Sequence, residues 1–225
     1  MNSSIVKYLM SLGTLPEDLK VYFPDYSGTI YAKQGDTVSK HSAEESAEMF
    51  PILNAGNVAH YLIGGPDSGP TNPSFGTAKI AITDAHHSFL PHAHGSKHFV
   101  LSQGNAGCVV FDRDTGKPKE LALPARSLVV IPEKMSHSFF NKSGRPLTFF
   151  VANTGLGIYN EEYATTIDMA RKQLVEGSND PELVHLIHEL ESIGRYMQAH
   201  KPEKHESLKS RIAFLFHRLA TVLEL

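Results

Sequence analysis

Pro91-His92-Ala93-His94-Gly95-Ser96-Lys97-His98 is the stretch around which the rest of this chain is arranged. Side chains on a strand alternate faces, so His92 and His94 present their imidazoles to the same side. His98 stands four residues on, an even step that keeps it on that face if the chain stays extended or turns briefly at Gly95-Ser96. The same two small residues permit a twist that would turn His98 outward and leave it out of the cluster. Unpartnered imidazoles are costly to bury, whereas their neutral nitrogens are among the best ligands for a divalent first-row metal. With 13 histidines in 225 residues, local clusters arise by chance more often than usual. A metal site nonetheless satisfies all three rings at once.

Short apolar runs bounded by turn residues surround this stretch, at 58–63, 78–83, 99–102, 108–111, 121–123, 128–131, 137–140 and 147–151. Runs of this length and spacing, with no helical period between them, predict an antiparallel sandwich or barrel. Residues 64–76 carry three prolines and four glycines. That segment is long for a hairpin loop, and is either a lid or rim or a plain surface loop. Asp112-Arg-Asp-Thr-Gly-Lys117 is expected to be a plain turn whose charges are solvated and have no further role.

Helical periods flank the strands. Ile5, Leu9 and Leu12 follow Ser3-Ser4, which can cap, and predict a short helix laid over part of the core. Ser42-Ala-Glu-Glu45 has the capping-box form and Pro51 stops what it starts, predicting a helix over residues 42–50. Beyond Asn153, Tyr163, Ile167, Ala170 and Leu174 mark a helix closed by Gly177. Asp180-Pro181 then opens another that carries Leu183, Leu186, Ile187, Leu190 and Ile193. After Pro202 a last helix aligns Leu208, Ile212, Leu215, Leu219 and Val222, with Phe216 and Leu223 widening the stripe. The chain thus divides into an N-terminal helical extension (1–57), a β-barrel domain (58–153) and a C-terminal helical extension (154–225). The C-terminal helices need a surface to bury against, either the barrel or a second subunit. His185, His188 and Glu191 lie mostly off the apolar stripe, as a solvated face does, rather than forming a second metal site.

Composition narrows the function. A net charge of -3, a pI near 6.5 and no run of Lys or Arg give no electrostatic footprint for nucleic acid or an anionic membrane. The opening residues lack the basic lead and long apolar run of a signal peptide, and no apolar stretch approaches the ~20 residues of a membrane span. The lone Cys108, in Gly107-Cys-Val-Val-Phe111, is expected to pack in a strand, which suits a reducing cytoplasm.

A fourth histidine lies in Ile131-Pro132-Glu-Lys-Met-Ser-His137-Ser-Phe-Phe-Asn141. His92-x-His94 followed by His98, then Pro132 five residues before His137 and Asn141 four after it, resembles the two sequence motifs of the cupin superfamily. In that family the first motif supplies two histidines and usually a glutamate, the second supplies one histidine, and all four bind a metal inside a double-stranded jelly roll. The resemblance covers residues 58–153 and leaves the flanking helices outside. It implies that His92, His94 and His137 are metal ligands, with His98 where Glu is usual, as in the small cupins with four-histidine sites. Glycines of the family's motifs are replaced here by His86, Arg126 and Lys134, while Gly104 or Gly107 approximates the one after the first motif. Because cupins commonly pair, a homodimer with the C-terminal helices at or near the interface is expected.

Four neutral imidazoles would leave a divalent ion its full charge, where a glutamate cancels one unit. They disfavour magnesium and calcium and favour iron(II), with manganese, copper, nickel or zinc as the other candidates. The function this implies is an iron(II) dioxygenase acting on a small, anionic or enolisable molecule that chelates the metal. The alternatives are a non-redox isomerase, lyase or cyclase, or a small-molecule-binding cupin without turnover; the only carboxylate near the metal motifs is Glu133. His86 and His87 read as turn residues or as residues backing the ligands, rather than as ligands. Phe139, Phe140, Phe149 and Phe150 either line an apolar pocket or pack the core, and Tyr61 and Lys79 can face either way from their strands.

Overall fold

The computed structural model describes residues 3–16, 19–25, 29–41, 56–65, 74–155, 164–178 and 180–200, together with Ile212 and Phe216. The strands that build the core are β4 (Asn57–Ile63), β5 (Gly76–Thr83), β6 (His92–Ala93), β7 (His98–Ser102), β8 (Ala106–Asp112), β9 (Lys117–Leu123), β10 (Leu128–Ile131), β11 (His137–Phe140), β12 (Leu147–Thr154) and β13 (Thr165–Thr166). Before them come α1 (Ser3–Ser11), β1 (Lys20–Pro24), β2 (Ile30–Gln34) and β3 (Thr37–His41). After them come α2 (Ile167–Val175) and α3 (Pro181–Ala199). Two five-stranded antiparallel sheets face each other, in the orders β10-β7-β12-β5-β4 and β13-β6-β11-β8-β9. This is a double-sheet jelly roll with extensions at both ends, and each of the eight runs picked out in the sequence lies on one of its strands.

Pairing register sets what fills the interior. In the first sheet, Tyr61, Lys79, Val151, Val100 and Val129 stand opposite one another across β4, β5, β12, β7 and β10. Two residues along, the next row on that face is Ala59, Ala81, Phe149 and Ser102, and in the other direction it is Thr77, Asn153, His98 and Ile131. In the second sheet His92, His137 and Val110 form one row, with Phe139, Cys108 and Leu121 the next. The apolar members of these rows make one cluster, including Ala59, Ala81, Val100, Cys108, Phe139, Phe149 and Val151. Each large side chain buried there contributes roughly 1.5–3 kcal/mol relative to exposure. Cys108 is fully buried, as expected of a packed strand residue, and burial pushes its thiol pKa up.

The odd-numbered residues of β8 point the other way. Val109 and Phe111, with Phe140, pack against Ile193, Tyr196 and Met197 of α3, so this helix lies on the outer face of the second sheet. Gly107 faces Phe140 across the ladder, and a Cβ there would fall inside the phenyl ring, 1.9 Å from its Cζ. Asp180 caps α3, its Oδ1 accepting from Glu182 N at 2.9 Å, with Pro181 in the first turn, as the sequence predicts. Thr166 caps α2 and also pairs with His92, so the C-terminal extension adds a strand beside the histidines before it turns helical.

Among its described residues the N-terminal extension, expected to be helical over 1–57, carries one helix and a three-stranded antiparallel sheet, β1-β2-β3. Its signals were short: Val21-Tyr22-Phe23, Ile30-Tyr31 and Thr37-Val38, with Gly35-Asp36 as a two-residue hairpin turn in which Gly35 takes φ +54°. Ile5 and Leu9 of α1 bury against Tyr31 of this small sheet, not against the barrel core. Ile30 on the sheet packs with Val58, Ile80 and Ile82, covering the outside of β4 and β5. The helix predicted over residues 42–50, most of the segment 64–76 and most of the last helix lie outside the described residues. Ile212 and Phe216, which are described, are helical and exposed. Among the described residues no helix is long and apolar enough to cross a membrane.

Only three non-glycine residues among those described have positive φ: His86 at 60°, Arg126 at 71° and Lys134 at 59°. These are the three positions at which the sequence departs from the glycines of the cupin motifs. The backbone keeps a conformation that favours glycine while the side chain has changed.

Candidate metal centre

His92 sits on β6 and His94 two residues later, both facing inward as strand alternation predicts. His137 opens β11 and lies directly across the ladder from His92. One ring nitrogen from each of His92, His94 and His137 can be chosen so that all lie within 4.8 Å of one another. Two nitrogens each ~2.1 Å from one ion reach a separation of about 4 Å, so the group has the scale of a metal site.

His98 arrives by another route. The chain crosses at Gly95-Ser96 from the second sheet to the first, and His98 starts β7 on the opposite wall of the sandwich. The even spacing that suggested a shared face is therefore incidental; His98 points inward because β7 presents that face to the core. Its ring stacks on His94, with centroids 4.2 Å apart and planes 22° apart, and lies 5.1 Å from the His137 ring. It is 4% exposed, so it has not turned outward, although it falls outside the group of three converging nitrogens.

Hydrogen bonds orient the rings. His92 Nδ1 donates to the Leu90 carbonyl at 2.6 Å and His137 Nδ1 to the Met135 carbonyl at 2.8 Å, the tautomer that leaves each Nε2 lone pair free to bind a cation. Buried Nε2 of His137 and Nδ1 of His98 meet no hydrogen-bond partner in the protein. Burial is the main cause that holds all four imidazoles below their ordinary pKa, with Lys79 adding to it at each and neighbouring histidines adding at His92, His94 and His98; His137 is lowered to about 4. Neutral rings with orphaned nitrogens are what a divalent ion requires of its ligands, so the donor set fits one.

The loop carrying His137 is held from outside. Ser136, fully buried beside it, donates its Oγ proton to Glu189 Oε2 at 2.7 Å, and Glu189 on α3 is itself buried. Arg113 bridges the same carboxylate at 2.7 Å and donates to the Lys134 carbonyl at 3.2 Å. The 112–117 turn, expected to carry only solvated charges, thus supplies a cation to this network. A signal was present in the sequence: Glu189 falls three residues after Leu186 and four before Ile193, a carboxylate on a buried helical stripe. Asn141 is a structural hub, its amide donating to the carbonyls of Thr83, Asp84 and Arg145 and its Oδ1 accepting from Ser143.

Other candidates resolve individually. His86 and His87 lie in a turn, and His87 is exposed. Phe139 and Phe149 belong to the core beside the histidines, whereas Phe140 packs under α3 and Phe150 is 41% exposed. Glu133 is exposed and lines an outer cleft of about 780 Å³ that His94 also borders. Glu191 pairs with Arg171 and Arg195, and His185 and His188 are exposed, as a solvated face should be. Lys79 and Tyr61 turn inward. Lys79 is 4% exposed and its Nζ lies 3.4 Å from the Tyr61 hydroxyl.

No family model matches the chain, and no curated protein matches it. Among solved structures it is similar to the Lactobacillus farciminis oxalate decarboxylase in its formate complex, with 17% identity over 62% of this chain and 40% of that one and a TM-score of 0.44. It is also similar to a recombinant oxalate oxidase in complex with glycolate (11% identity, 63% and 74% covered, TM-score 0.42) and to the Momordica charantia 7S globulin (13%, 50% and 32%, 0.39). The chain spans about 40% of the length of the decarboxylase. Its own residues carry the assignment of the fold: two facing antiparallel sheets, histidines of both motifs converging between them, and left-handed backbone at the three motif-glycine positions. The chain has a double-sheet jelly roll that resembles the cupins', with a centre suited to a divalent metal ion.

Proposed function

We propose that this protein is a metal-dependent oxygenase that holds one iron(II) ion on His92, His94, His98 and His137 and acts on a small organic molecule that chelates the ion. The observation that supports it most is the buried cluster of four imidazoles in which His137 Nε2 and His98 Nδ1 have no partner from the protein. Bound there, iron(II) supplies a Lewis acid and a one-electron reductant for dioxygen. Around it, the Leu90 and Met135 carbonyls fix the His92 and His137 rings, while Phe139 and Phe149 keep the interior dry. The four ligands carry no charge to offset the ion's, so an oxyanion gains most by binding beside them. The same donor set accepts manganese, copper, nickel or zinc.

A second reading, a non-redox lyase, isomerase or cyclase, is favoured by Lys79, whose ammonium lies in the interior with the histidines and is a group able to transfer a proton. A third is a small-molecule binder without turnover. The experiment is elemental analysis of protein purified without added metal, then oxygen uptake by the iron-loaded protein against diketones, thiols, catechols and hydroxy acids. Dioxygen consumption with one of these supports the oxygenase. Undiminished anaerobic turnover transfers the assignment to the second reading, and tight binding with no turnover under any metal to the third.

A further inference from the structure

Both outer faces of the sandwich are apolar, and the fold covers them unequally. On the second sheet α3 lies over Val109, Phe111 and Phe140. On the first, the N-terminal sheet lies over β4 and β5, where Ile30 meets Val58, Ile80 and Ile82. Beyond β5 this face is open among the described residues. Outward residues alternate with inward ones along each strand, so Leu128, Leu101 and Phe150 stand in one row across β10, β7 and β12, and Val130, Phe99 and Ala152 in the next. Leu128, Val130 and Phe150 are 61%, 52% and 41% exposed, and none of the six residues is polar. β10 is also an edge strand, and its Leu-Val-Val-Ile sequence has none of the charges or prolines that usually protect one.

A second exposed apolar surface lies beyond α3. The stripe that runs from Leu208 to Val222 at helical spacing has two described members, Ile212 and Phe216, and both are helical and exposed. Length decides whether stripe and face meet within one molecule. Residues 201–207 separate α3 from the stripe, and a fully extended connection from His200 to Leu208 reaches at most ~26–29 Å. Helices on the outer faces of the two sheets have axes ~30 Å apart through the sandwich, and the chain must travel round its edge. The stripe therefore falls short of the open face of its own barrel.

Size points the same way. The six outward positions, ~4.8 Å apart between strands and ~6.7 Å apart along them, pave only about 200 Å² of sheet. Two copies joined face to face through that patch fall well short of the ~800 Å² per partner of a stable dimer. When each copy lays its 208–223 helix, ~24 Å long and ~10 Å wide, on the other's face, the contact per copy more than doubles, and the accessible area of its side chains exceeds that plane.

We propose that the open face of β10, β7 and β12 is the docking site for the last helix of a second copy of this chain, exchanged reciprocally in a two-fold dimer. The stripe covers Leu128, Val130 and Phe150 as Ile193 and Met197 of α3 cover Phe111 and Phe140 on the other sheet. The assignment is independent of the metal.

The test uses the full-length protein. Sedimentation equilibrium gives a dimer at micromolar concentration, Phe150→Glu weakens it at least about tenfold, and Val175→Glu, the same change at an exposed residue of α2, leaves it unaltered. Cross-linking reads the geometry, undisturbed by the fully buried Cys108. Isotope-labelled Val130→Cys protein is mixed with unlabelled Ile212→Cys protein and treated with a short bismaleimide; the product joins a labelled chain to an unlabelled one through those two positions. A monomer throughout the micromolar range, a Phe150→Glu dimer no weaker than that of Val175→Glu, or absence of the mixed product overturns the proposal. So does a product joining two Val130→Cys chains with none to Ile212→Cys, the mark of face-to-face sheet pairing. A link within single chains of the doubly substituted Val130→Cys, Ile212→Cys protein, formed below the dimer's dissociation constant, also overturns it by placing the helix on its own barrel. The mixed cross-link changes only exposed positions, so it decides the matter even if Phe150→Glu fails to fold.

Discussion

Replacing Arg126 by glycine should make this protein more stable. Arg126 is exposed in the turn between β9 and β10, with φ at 71°, where Ser127 N donates to Pro124 O at 3.1 Å and its own N–H donates to Ser102 O at 2.7 Å. Both bonds are made by the backbone and survive the substitution. A non-glycine residue held in the left-handed region costs about 1–2 kcal/mol, and glycine's extra freedom in the unfolded chain takes back about 0.4–1, for a net gain of roughly 0.5–1 kcal/mol. At ~2–4 °C per kcal/mol for a chain of this size, Arg126→Gly should melt about 1–4 °C higher. Arg126→Ala is the control, because alanine loses the side chain and keeps the strain. Urea unfolding followed by circular dichroism, with a chelator present so that metal release contributes nothing, compares the two midpoints. A glycine variant that unfolds at or below the midpoint of the alanine variant would refute the claim that these motif positions are strained. His86→Gly should shift the midpoint in the same direction. Lys134→Gly should gain less, since it forfeits the exposed Lys134–Glu182 pair at 2.9 Å, worth about 0–1 kcal/mol.

The metal-free protein should lose stability as pH falls from 6.5 to about 4, because over that window the unfolded chain protonates a His137 that the folded protein keeps neutral. At ~1.4 kcal/mol per unit the loss from this residue is about 3 kcal/mol, and equal urea midpoints at pH 7 and pH 5 would refute it. His92→Ala, His94→Ala and His137→Ala should each cut metal occupancy, read by elemental analysis, with double substitutions abolishing it; full occupancy and an unchanged cobalt spectrum in His98→Ala would reduce the site to three histidines. Glu189→Gln should lower stability by about 1–3 kcal/mol through its bonds to Arg113 and Ser136 and weaken metal retention by loosening the His137 loop, while leaving the α3 helix signal in circular dichroism intact. Light scattering should give the mass of a homodimer, and its persistence after deletion of residues 203–225 would place the interface elsewhere.

The barrel strands and the inward pair His92 and His94 were legible because period-two alternation and turn residues are local signals. The facing of Lys79 was not, since Ala78-Lys79-Ile80-Ala81-Ile82 has apolar residues on both faces: Ile80 and Ile82 pack under the N-terminal sheet, and Ala81 packs in the core. That same covering sheet went unseen because its strands are five residues each and their apolar pattern is interrupted by charge at Lys33 and Lys40. His98 was placed inward for a reason that does not hold, its strand belonging to the opposite wall. The Glu189–Ser136 bond joins residues far apart in the chain, and no local pattern encodes such a pairing.

The position of His98 on one wall, with His92, His94 and His137 on the other, bears on the order of events in folding. No short stretch of the unfolded chain contains the whole ligand set, and the set closes only once the two sheets have docked. An ion held by all four binds only the docked sandwich, and we expect docking to follow the rate-limiting step of folding, which puts the ion's stabilisation on the native side of that barrier. Metal should then slow unfolding by nearly the whole of its binding free energy and leave the refolding rate almost unchanged.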